Sequence, residues 1–215
     1  MAAHKGVVVT LDAMGCQKDI VDKIREKGAN FLIEVKANQK QLRWNIEDRL
    51  KAAPVVDSFL SEPELTGGRI ETRICRTYRG ADVMVDKDKW GAGLTVVEIE
   101  THTVKKSTKV ETTENRLYIS DLTVPAADFA NISRKHWRVE VVHWHLDRTL
   151  KQDDIKRKSR SSALYLDTIQ RLCLNLLFLW RANRKKIEDR QRGIAELIRK
   201  CRNNFTFVKK ILTLR

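Results

Sequence analysis

The stretch that decides the fold is Val7 to Gln17, VVVTLDAMGCQ. Three valines, a threonine and a leucine form a short apolar, β-branched run, which predicts a strand buried on both faces of a sheet. The run ends at Asp12. A carboxylate at the carboxyl end of a parallel strand lies where open α/β sheets place ligands and catalytic groups. Asp12 is therefore either a functional acid or the cap of the next helix, since aspartate is a common N-cap residue.

Helices and strands alternate after this stretch. The patterns predict a helix, a second short strand and another helix at Asp19 to Lys27, Phe31 to Val35 and Gln41 to Leu50. A strand, a helix and a strand of these lengths make two parallel neighbours in a sheet. Lys36 and Asn38 then leave the second strand at the same edge as Asp12. A lysine at this edge is either a solvated loop charge or a contact to a phosphate.

From Arg69 the hydrophobic pattern changes to strict alternation. The sequence RIETRICRTY alternates from Arg69 to Tyr78, and Leu94 to Val104 and Asn115 to Ile119 alternate as well. Polar turns separate these segments, which together predict a small antiparallel sheet of about three strands. Arg69 and Arg73 concentrate positive charge on the first of them, on a face that is either merely solvated or bound to a polyanion.

The composition indicates the class of partner. The 215 residues carry a formal net charge of +14 and a pI near 9.8. This excess favours a polyanion, most simply nucleic acid, although a ribosomal or membrane-surface protein would also fit. No apolar run approaches the roughly 18 residues of a membrane span. The four cysteines have no CxxC spacing and are interpreted as buried thiols of a reducing cytosol, neither a disulfide framework nor a zinc site.

A long amphipathic helix is predicted from Phe129 to Leu150, and it has two distinct faces. The apolar face, which we expect to contact the core, consists of Phe129, Ile132, Val139, Val142 and Leu146. The second face consists of His136, Trp137, Glu140, His143, Trp144 and Asp147. It is either a functional site around one glutamate or a packing face with histidines at its rim. Zinc is excluded because His143 and His145 project about 200° apart on a helix.

The C-terminal part is predicted to be helical and basic. The helix from Ala163 to Trp180 contains LCLNLLFLW, which is apolar nearly all round and predicts a central core helix. Arg181 to Arg202 is rich in lysine and arginine and would supply salt-dependent affinity for phosphates. Phe205 to Leu212 predicts a short docking helix.

One aspartate ends a strand and one glutamate lies far downstream on a helix, with a β-rich insertion between them. This arrangement suits a metal-dependent nuclease or strand-transfer enzyme of RNase H-like fold. In such enzymes two Mg²⁺ ions, roughly 4 Å apart, hold the attacking and leaving oxygens of a phosphodiester. Magnesium prefers a few carboxylates together with water and phosphate oxygens, so acids from separate elements must converge.

Six motifs carry a specific family resemblance. In chain order they are VVVTLDAMGCQKDIVDKI, EVKANQ, GRIETR, RLYISDL, HWRVE and HWHLD. They resemble the H-repeat-associated insertion-sequence transposases, which are DDE transposases with an RNase H-like core and a β-strand insertion before the last catalytic helix. The resemblance covers nearly the whole chain. It implies that Asp12 is the second catalytic acid, that Glu140 is the third, and that both bind Mg²⁺.

The resemblance also implies partners and a location. We expect DNA, in the form of insertion-sequence ends, to be contacted by Lys36, Asn38, Arg69, Arg73, Arg134, His136 and Trp137. Further expected partners are a second copy of the chain or a full-length transposase, and no membrane. The expected location is the bacterial cytoplasm, with nucleoid association when the protein is bound to DNA.

The predicted fold class is α/β, a partial RNase H-like core with an antiparallel β insertion and C-terminal helices. We assign residues 1–65 to the second half of the core sheet and residues 66–122 to the β insertion. Residues 123–215 then contain the helix of the catalytic glutamate and the basic C-terminal helices.

Three departures from the family pattern lower the expected activity. The family's first catalytic aspartate lies in an earlier IDGK-like motif, and no such motif occurs in these 215 residues. Two residues instead of three separate Glu140 from His143, and Ala37 and Val141 replace a glycine and an asparagine. We therefore expect an N-terminally truncated transposase that binds Mg²⁺ weakly and is inactive alone, or one half of a split gene. The alternative is a non-catalytic DNA-binding remnant that interferes with a full-length transposase.

Overall fold

The computed structural model describes residues 6–66, 68–84, 90–91, 93–152, 154–155 and 159–213. The chain divides into two compact units, Met1–His136 and Trp137–Arg215. The described residues form helices and a mixed β-sheet, so the predicted α/β class is confirmed.

Unit one is built on a single sheet. Its described strands are β1 (Val8–Leu11), β2 (Asn30–Val35), β3 (Asp57–Leu60), β4 (Glu64–Thr66), β5 (Arg69–Arg79), β6 (Thr95–Lys105) and β7 (Glu111–Ser120). The strand order is β1-β2-β7-β6-β5-β3, and β4 also pairs with β5. Strands β1 and β2 are parallel, as predicted, and the other pairs are antiparallel.

The alternation of side chains divides the core of unit one between the two faces of the sheet. Phe31 and Ile33 of β2 face helices α1 (Lys18–Glu26) and α2 (Lys40–Leu50), which bury Ile24 and Ile46 against them. Leu32, between them, faces the other way and packs with Phe129 of helix α4 (Ala126–Trp144). A short helix, α3 (Gly80–Val83), follows β5.

Strand β1 forms one edge of the sheet. The prediction that it is buried on both faces is wrong, because each residue from Val8 to Leu11 is partly exposed. Among the described residues its only strand partner is β2, with Leu11 opposite Ile33. An edge strand has a neighbour on one side only, so its side chains receive less cover than those of a central strand.

The three predicted antiparallel strands are present as β5, β6 and β7, but they do not form a small sheet of their own, because β7 pairs with β2 in the same seven-stranded sheet. The sequence patterns missed β3 and β4. Both missed strands are only three or four residues long, too short to show the apolar alternation that identifies a strand. They pair with β5 in adjoining registers, where Phe59 lies opposite Cys75 and Leu65 opposite Ile70. These two strands form because they pair with β5, which follows them in the sequence.

Unit two is helical in its described part. After the last turns of α4 it contains a π-helical turn (His145–Thr149), α5 (Arg160–Ala182), α6 (Ile187–Gln191), α7 (Ile194–Asn203) and α8 (Phe205–Leu212). Its core consists of Leu146, Leu174, Leu177, Trp180, Ile194, Leu197 and Ile211. The predicted central core helix, α5, contributes Leu174, Leu177 and Trp180 to this core, but Leu172 is 57% exposed and Leu179 51%. Its buried side chains repeat at helical spacing, so the core covers one face of α5 only.

Cysteine exposure differs from the expectation of four buried thiols. Cys16 and Cys75 are buried, and burial raises the pKa of each thiol to about 12. Cys173, in contrast, is exposed, and Cys201 is half-buried.

Within the described ranges, none of the helices combines the length and the apolar character that crossing a lipid bilayer requires.

Candidate functional site

Asp12 directly follows β1 at the carboxyl end of the strand, as predicted. Its backbone is extended, and its side chain accepts a hydrogen bond of 3.2 Å from the backbone N–H of Met14. This bond caps the short 3-10 turn Ala13–Gly15, whereas the N-cap of the next helix, α1, is Gln17, so Asp12 is not the cap of that helix. The Asp12 side chain is exposed. Capping occupies one carboxylate oxygen, which leaves the other available to a ligand.

The loop after β2 is bound to the loop that holds Asp12. The Asn38 amide donates to the carbonyl oxygen of Ala13, and the Gln39 amide donates to the carbonyl oxygen of Cys16 at 2.9 Å. Both acceptors lie within five residues of Asp12. The amide of Asn38, a predicted DNA contact, thus fixes the backbone beside Asp12.

A buried carboxylate at this edge was missed by the sequence patterns. Glu34 lies in β2 and is only 4% exposed, although every other residue from Phe31 to Val35 is apolar. Its Oε2 atom is 2.9 Å from the Nζ atom of Lys36, whose side chain is half-exposed. A charge within an apolar strand is expensive to bury unless it is paired. The sequence signal for this residue was the single acidic side chain in the otherwise apolar segment Phe31 to Val35.

The face of the sheet that carries Thr10 and Leu32 also receives helix α4. His136 of α4 hydrogen-bonds through Nδ1 to the hydroxyl of Thr10, 3.0 Å away and two residues before Asp12. One turn earlier in the helix, the buried Ser133 donates to the hydroxyl of Tyr118 at 3.3 Å. The predicted polar face of this helix therefore begins with a direct contact to β1.

Glu140 lies in α4, as predicted, and its side chain is exposed. It belongs to unit two. The predicted apolar stripe of this helix is wrong at Val139, which is 52% exposed, whereas Val142 and Leu146 contribute to the core of unit two. A stripe defined by helical spacing requires one continuous partner surface, but the core of unit one takes Phe129 and the core of unit two takes Leu146.

Several cations predicted to contact DNA pair with carboxylates inside unit one. Arg73 is 3.1 Å from Glu64 and also pairs with Glu71, while Arg134 pairs with the same Glu64. Arg69 is exposed at the start of β5, opposite Lys105 in the register. Trp137 is 37% exposed at the start of unit two. Arg69 is thus exposed, whereas the side chain of Arg73 is only 20% exposed.

The donor chemistry suits a hard divalent cation only in part. Asp12 and Glu140 offer the exposed carboxylate oxygens that Mg²⁺ prefers. Among the described residues, however, no three histidine, cysteine, aspartate or glutamate side chains form a group able to hold a metal ion. Asp12 and Glu140 thus carry donors of the right type, but no complete ligand set is found within the described residues.

Comparison with known proteins identifies relatives over most of the chain. The family model for the transposase DDE domain matches residues 1–176. The chain is 30% identical over 212 residues to YncI of Escherichia coli O157:H7, whose name calls it a transposase; the alignment covers 95% of this chain and 52% of YncI.

Two proteins of Escherichia coli K12 are similar as well. YbfL is 33% identical and YhhI, named as H repeat-associated and as a transposase, is 32% identical, each over 182 residues. Each alignment covers 80% of this chain and 48% of the relative. The chain thus spans about half the length of the curated relatives it matches.

Proposed function

Because the chain belongs to the family of transposase DDE domains, we propose that it acts in DNA transposition as the C-terminal portion of an RNase H-like catalytic domain. Its DNA substrate would be the ends of an insertion sequence, which the family cleaves and joins in a metal-dependent reaction. The observation that carries the proposal is the exposed Asp12 at the carboxyl end of a parallel strand. Ligand and catalytic groups concentrate at this edge of α/β sheets.

In this proposal Asp12 and Glu140 are the catalytic acids and would hold Mg²⁺. The match to the transposase DDE domain supports this assignment, because the matched residues 1–176 include both acids. When bound, Mg²⁺ stabilises negative charge on the attacking and leaving oxygens of the phosphodiester. With only two of three expected acids in these 215 residues, we expect weak Mg²⁺ binding.

The proposal divides the chain into three segments at the boundaries predicted from the sequence. Residues 1–65 would be the second half of the core sheet, residues 66–122 the β insertion, and residues 123–215 the helices that carry Glu140 and the basic surface. Antiparallel pairing of β5, β6 and β7, between Asp12 and Glu140 along the chain, supports the assignment of the insertion.

The DNA contacts in this proposal are those named from the sequence, Lys36, Asn38, Arg69, Arg73, Arg134, His136 and Trp137. Arg69 would bind a phosphate directly because it is exposed at the start of β5. Arg73 and Arg134 share Glu64, so a phosphate would have to compete with that carboxylate. The protein would work in the bacterial cytoplasm, on the nucleoid when bound, with a second copy or a full-length transposase as a partner.

The test is the salt dependence of binding to duplex DNA. With a net charge of +14, the purified chain should bind duplexes of unrelated sequence, and its affinity should fall steeply as salt rises. Fluorescence anisotropy at several salt concentrations measures this slope. Binding that stays constant from low to moderate salt would mean that the charge serves solubility alone.

A second candidate function is a non-catalytic DNA-binding protein that interferes with a full-length transposase. The lack of a three-membered group of metal ligands among the described residues favours it. Adding the purified chain to a transposition reaction of a full-length relative should then inhibit the reaction. The inhibition should grow with the fraction of insertion-sequence ends that the chain occupies. No inhibition at saturating chain would exclude this function.

A further inference from the structure

A surface pocket of about 440 Å³ lies where α7 ends and α8 begins. It is lined by Glu196, Arg199, Lys200, Asn203 and Asn204. Four of these five side chains carry N–H donors, and the remaining one, Glu196, is bound to Arg192 at 2.5 Å. We call this surface the α7–α8 pocket. Its excess of donors suits an anion.

Two lysines contact aromatic rings, Lys200 in the lining of the α7–α8 pocket and Lys209 in α8. The Nζ atom of Lys200 lies 5.8 Å from the ring centroid of Phe207, and that of Lys209 lies 5.2 Å from the ring centroid of Phe205. A cation–π contact orients an ammonium group without cancelling its charge. The ammonium groups of these lysines therefore remain able to bind an external anion. The contacts also reduce their conformational freedom before any anion binds.

Carboxylates compete weakly for the cations at the α7–α8 pocket. Lys200 is 3.8 Å from Glu196, a long contact to a carboxylate that Arg192 already binds. Within the part of the chain that the structure describes, Arg199 and Lys209 have no carboxylate at ion-pair distance. In unit one, by contrast, Lys36 is 2.9 Å from the buried Glu34.

The positive charge of the chain is concentrated in the same region. Residues 177–215 follow the segment that the family model matches, and they contain twelve lysines and arginines but three acidic residues. They thus carry +9 of the net charge of +14. This charge is not explained by the matched DDE domain.

We propose that the α7–α8 pocket, together with Lys209, binds the phosphate backbone of duplex DNA through residues that follow the segment matched by the DDE family model. This inference rests on the proposed function, since it assumes that DNA is the partner. Arginine, lysine and asparagine side chains are typical donors to phosphate oxygens, and such contacts position a protein on DNA without reading its sequence. The pocket would hold the DNA without taking part in the chemistry.

The test compares two double variants of the full 215-residue chain. Arg199→Gln/Lys200→Gln removes two charges at the α7–α8 pocket, and Lys23→Gln/Lys27→Gln removes two exposed charges near the end of α1. Binding of a labelled duplex is followed by anisotropy across a salt series. The salt slope is the steepness with which the logarithm of the binding constant falls as the logarithm of the salt concentration rises. The pocket variant should lower this slope by about 1.8, because each lost phosphate contact removes about 0.9. Adding Lys209→Gln should lower it by about 0.9 more, whereas the α1 variant should keep nearly the full slope.

The outcomes separate the two proposals. Circular dichroism should show that each variant keeps the helix content of the wild type. If the wild type binds DNA and the pocket variant keeps its slope, or loses no more than the α1 variant, the pocket assignment is overturned. If the wild type itself shows no salt-dependent DNA binding, the proposed function is overturned, and the pocket assignment that rests on it is overturned as well. Loss of binding to anionic phospholipid vesicles with unchanged DNA binding would overturn the pocket assignment in favour of a membrane surface.

Discussion

Glu34 shows how a single residue departs from the pattern of its strand. Its neighbours in β2 are apolar and buried, and the carboxylate is buried with them, paired with the half-exposed ammonium of Lys36. Such a pair contributes little net stability when intact, but breaking it leaves a charge without a partner in an apolar region. The pair also fixes the position of Lys36 beside the Asp12 loop.

The cost of breaking this pair is measurable. Lys36→Met should lower the free energy of unfolding by about 1–3 kcal/mol, the usual penalty for an unsatisfied buried polar group. Urea denaturation provides the measurement. Lys18→Met is the matched control, because its ion pair with Asp22 is about half exposed on both sides and should contribute only about 0.3–0.5 kcal/mol.

A double variant tests the cause. Glu34→Gln/Lys36→Met removes the buried charge together with its partner, so it should recover much of the stability lost in Lys36→Met. Equal losses in Lys36→Met and Lys18→Met would contradict the buried-pair interpretation.

At the scale of elements, the π-helical turn His145–Thr149 interrupts the helical chain soon after Glu140. His145 hydrogen-bonds to the hydroxyl of Thr149 at 3.1 Å and packs edge-on against Trp144 and Phe178. Burial, with a contribution from the nearby Arg181, lowers the pKa of His145. The folded turn therefore prefers a neutral imidazole.

This preference predicts acid sensitivity in unit two. As pH falls through the unfolded-state pKa of histidine, about 6.5, the unfolded chain binds a proton that the folded chain still excludes. The free energy of unfolding should therefore decrease below that pH until the folded pKa is reached, and should be fully retained above it. Urea denaturation of the wild type and of His145→Phe at pH values on both sides of 6.5 should show a smaller decrease for the variant.

An exposed histidine on the same helical segment serves as the control. His143→Gln also removes a histidine of this segment, but an exposed one, and it is measured at the same pH values. If His145→Phe retains the full dependence, the acid sensitivity has another source.

On the scale of the whole molecule, charge and acidic groups are unevenly distributed. Residues 177–215 hold most of the net positive charge, whereas Asp12 lies in unit one and Glu140 in unit two. In the proposed function, DNA affinity and chemistry would thus depend on different parts of the chain. Affinity needs only exposed cations, while chemistry needs several carboxylates at one metal site.

We therefore expect DNA binding without cleavage by a polypeptide of these 215 residues. Two carboxylates give a site with too little negative charge to bind Mg²⁺ well, because this ion loses its water reluctantly. Incubation of a plasmid carrying an insertion-sequence end with Mg²⁺ or Mn²⁺ should give no nicking above background. Strong metal-dependent cleavage that Asp12→Ala abolishes would mean that another residue replaces the first aspartate.

The sequence by itself determined the order of the main helices and strands, the parallel pairing of β1 with β2, and Asp12 at the end of a strand. These features follow from local periodicity and from turn and capping residues, which act over a few neighbouring positions. The six ordered motifs also sufficed to recognise the family.

Only the tertiary structure decided which residues are buried and which charged side chains form ion pairs. The partial exposure of β1, the pairing of Glu34 with Lys36, the shared partner of Arg73 and Arg134, and the open side of α5 depend on contacts between distant segments. Periodicity identifies the apolar face of an element, but burial requires a second surface, and that surface is supplied by another part of the chain.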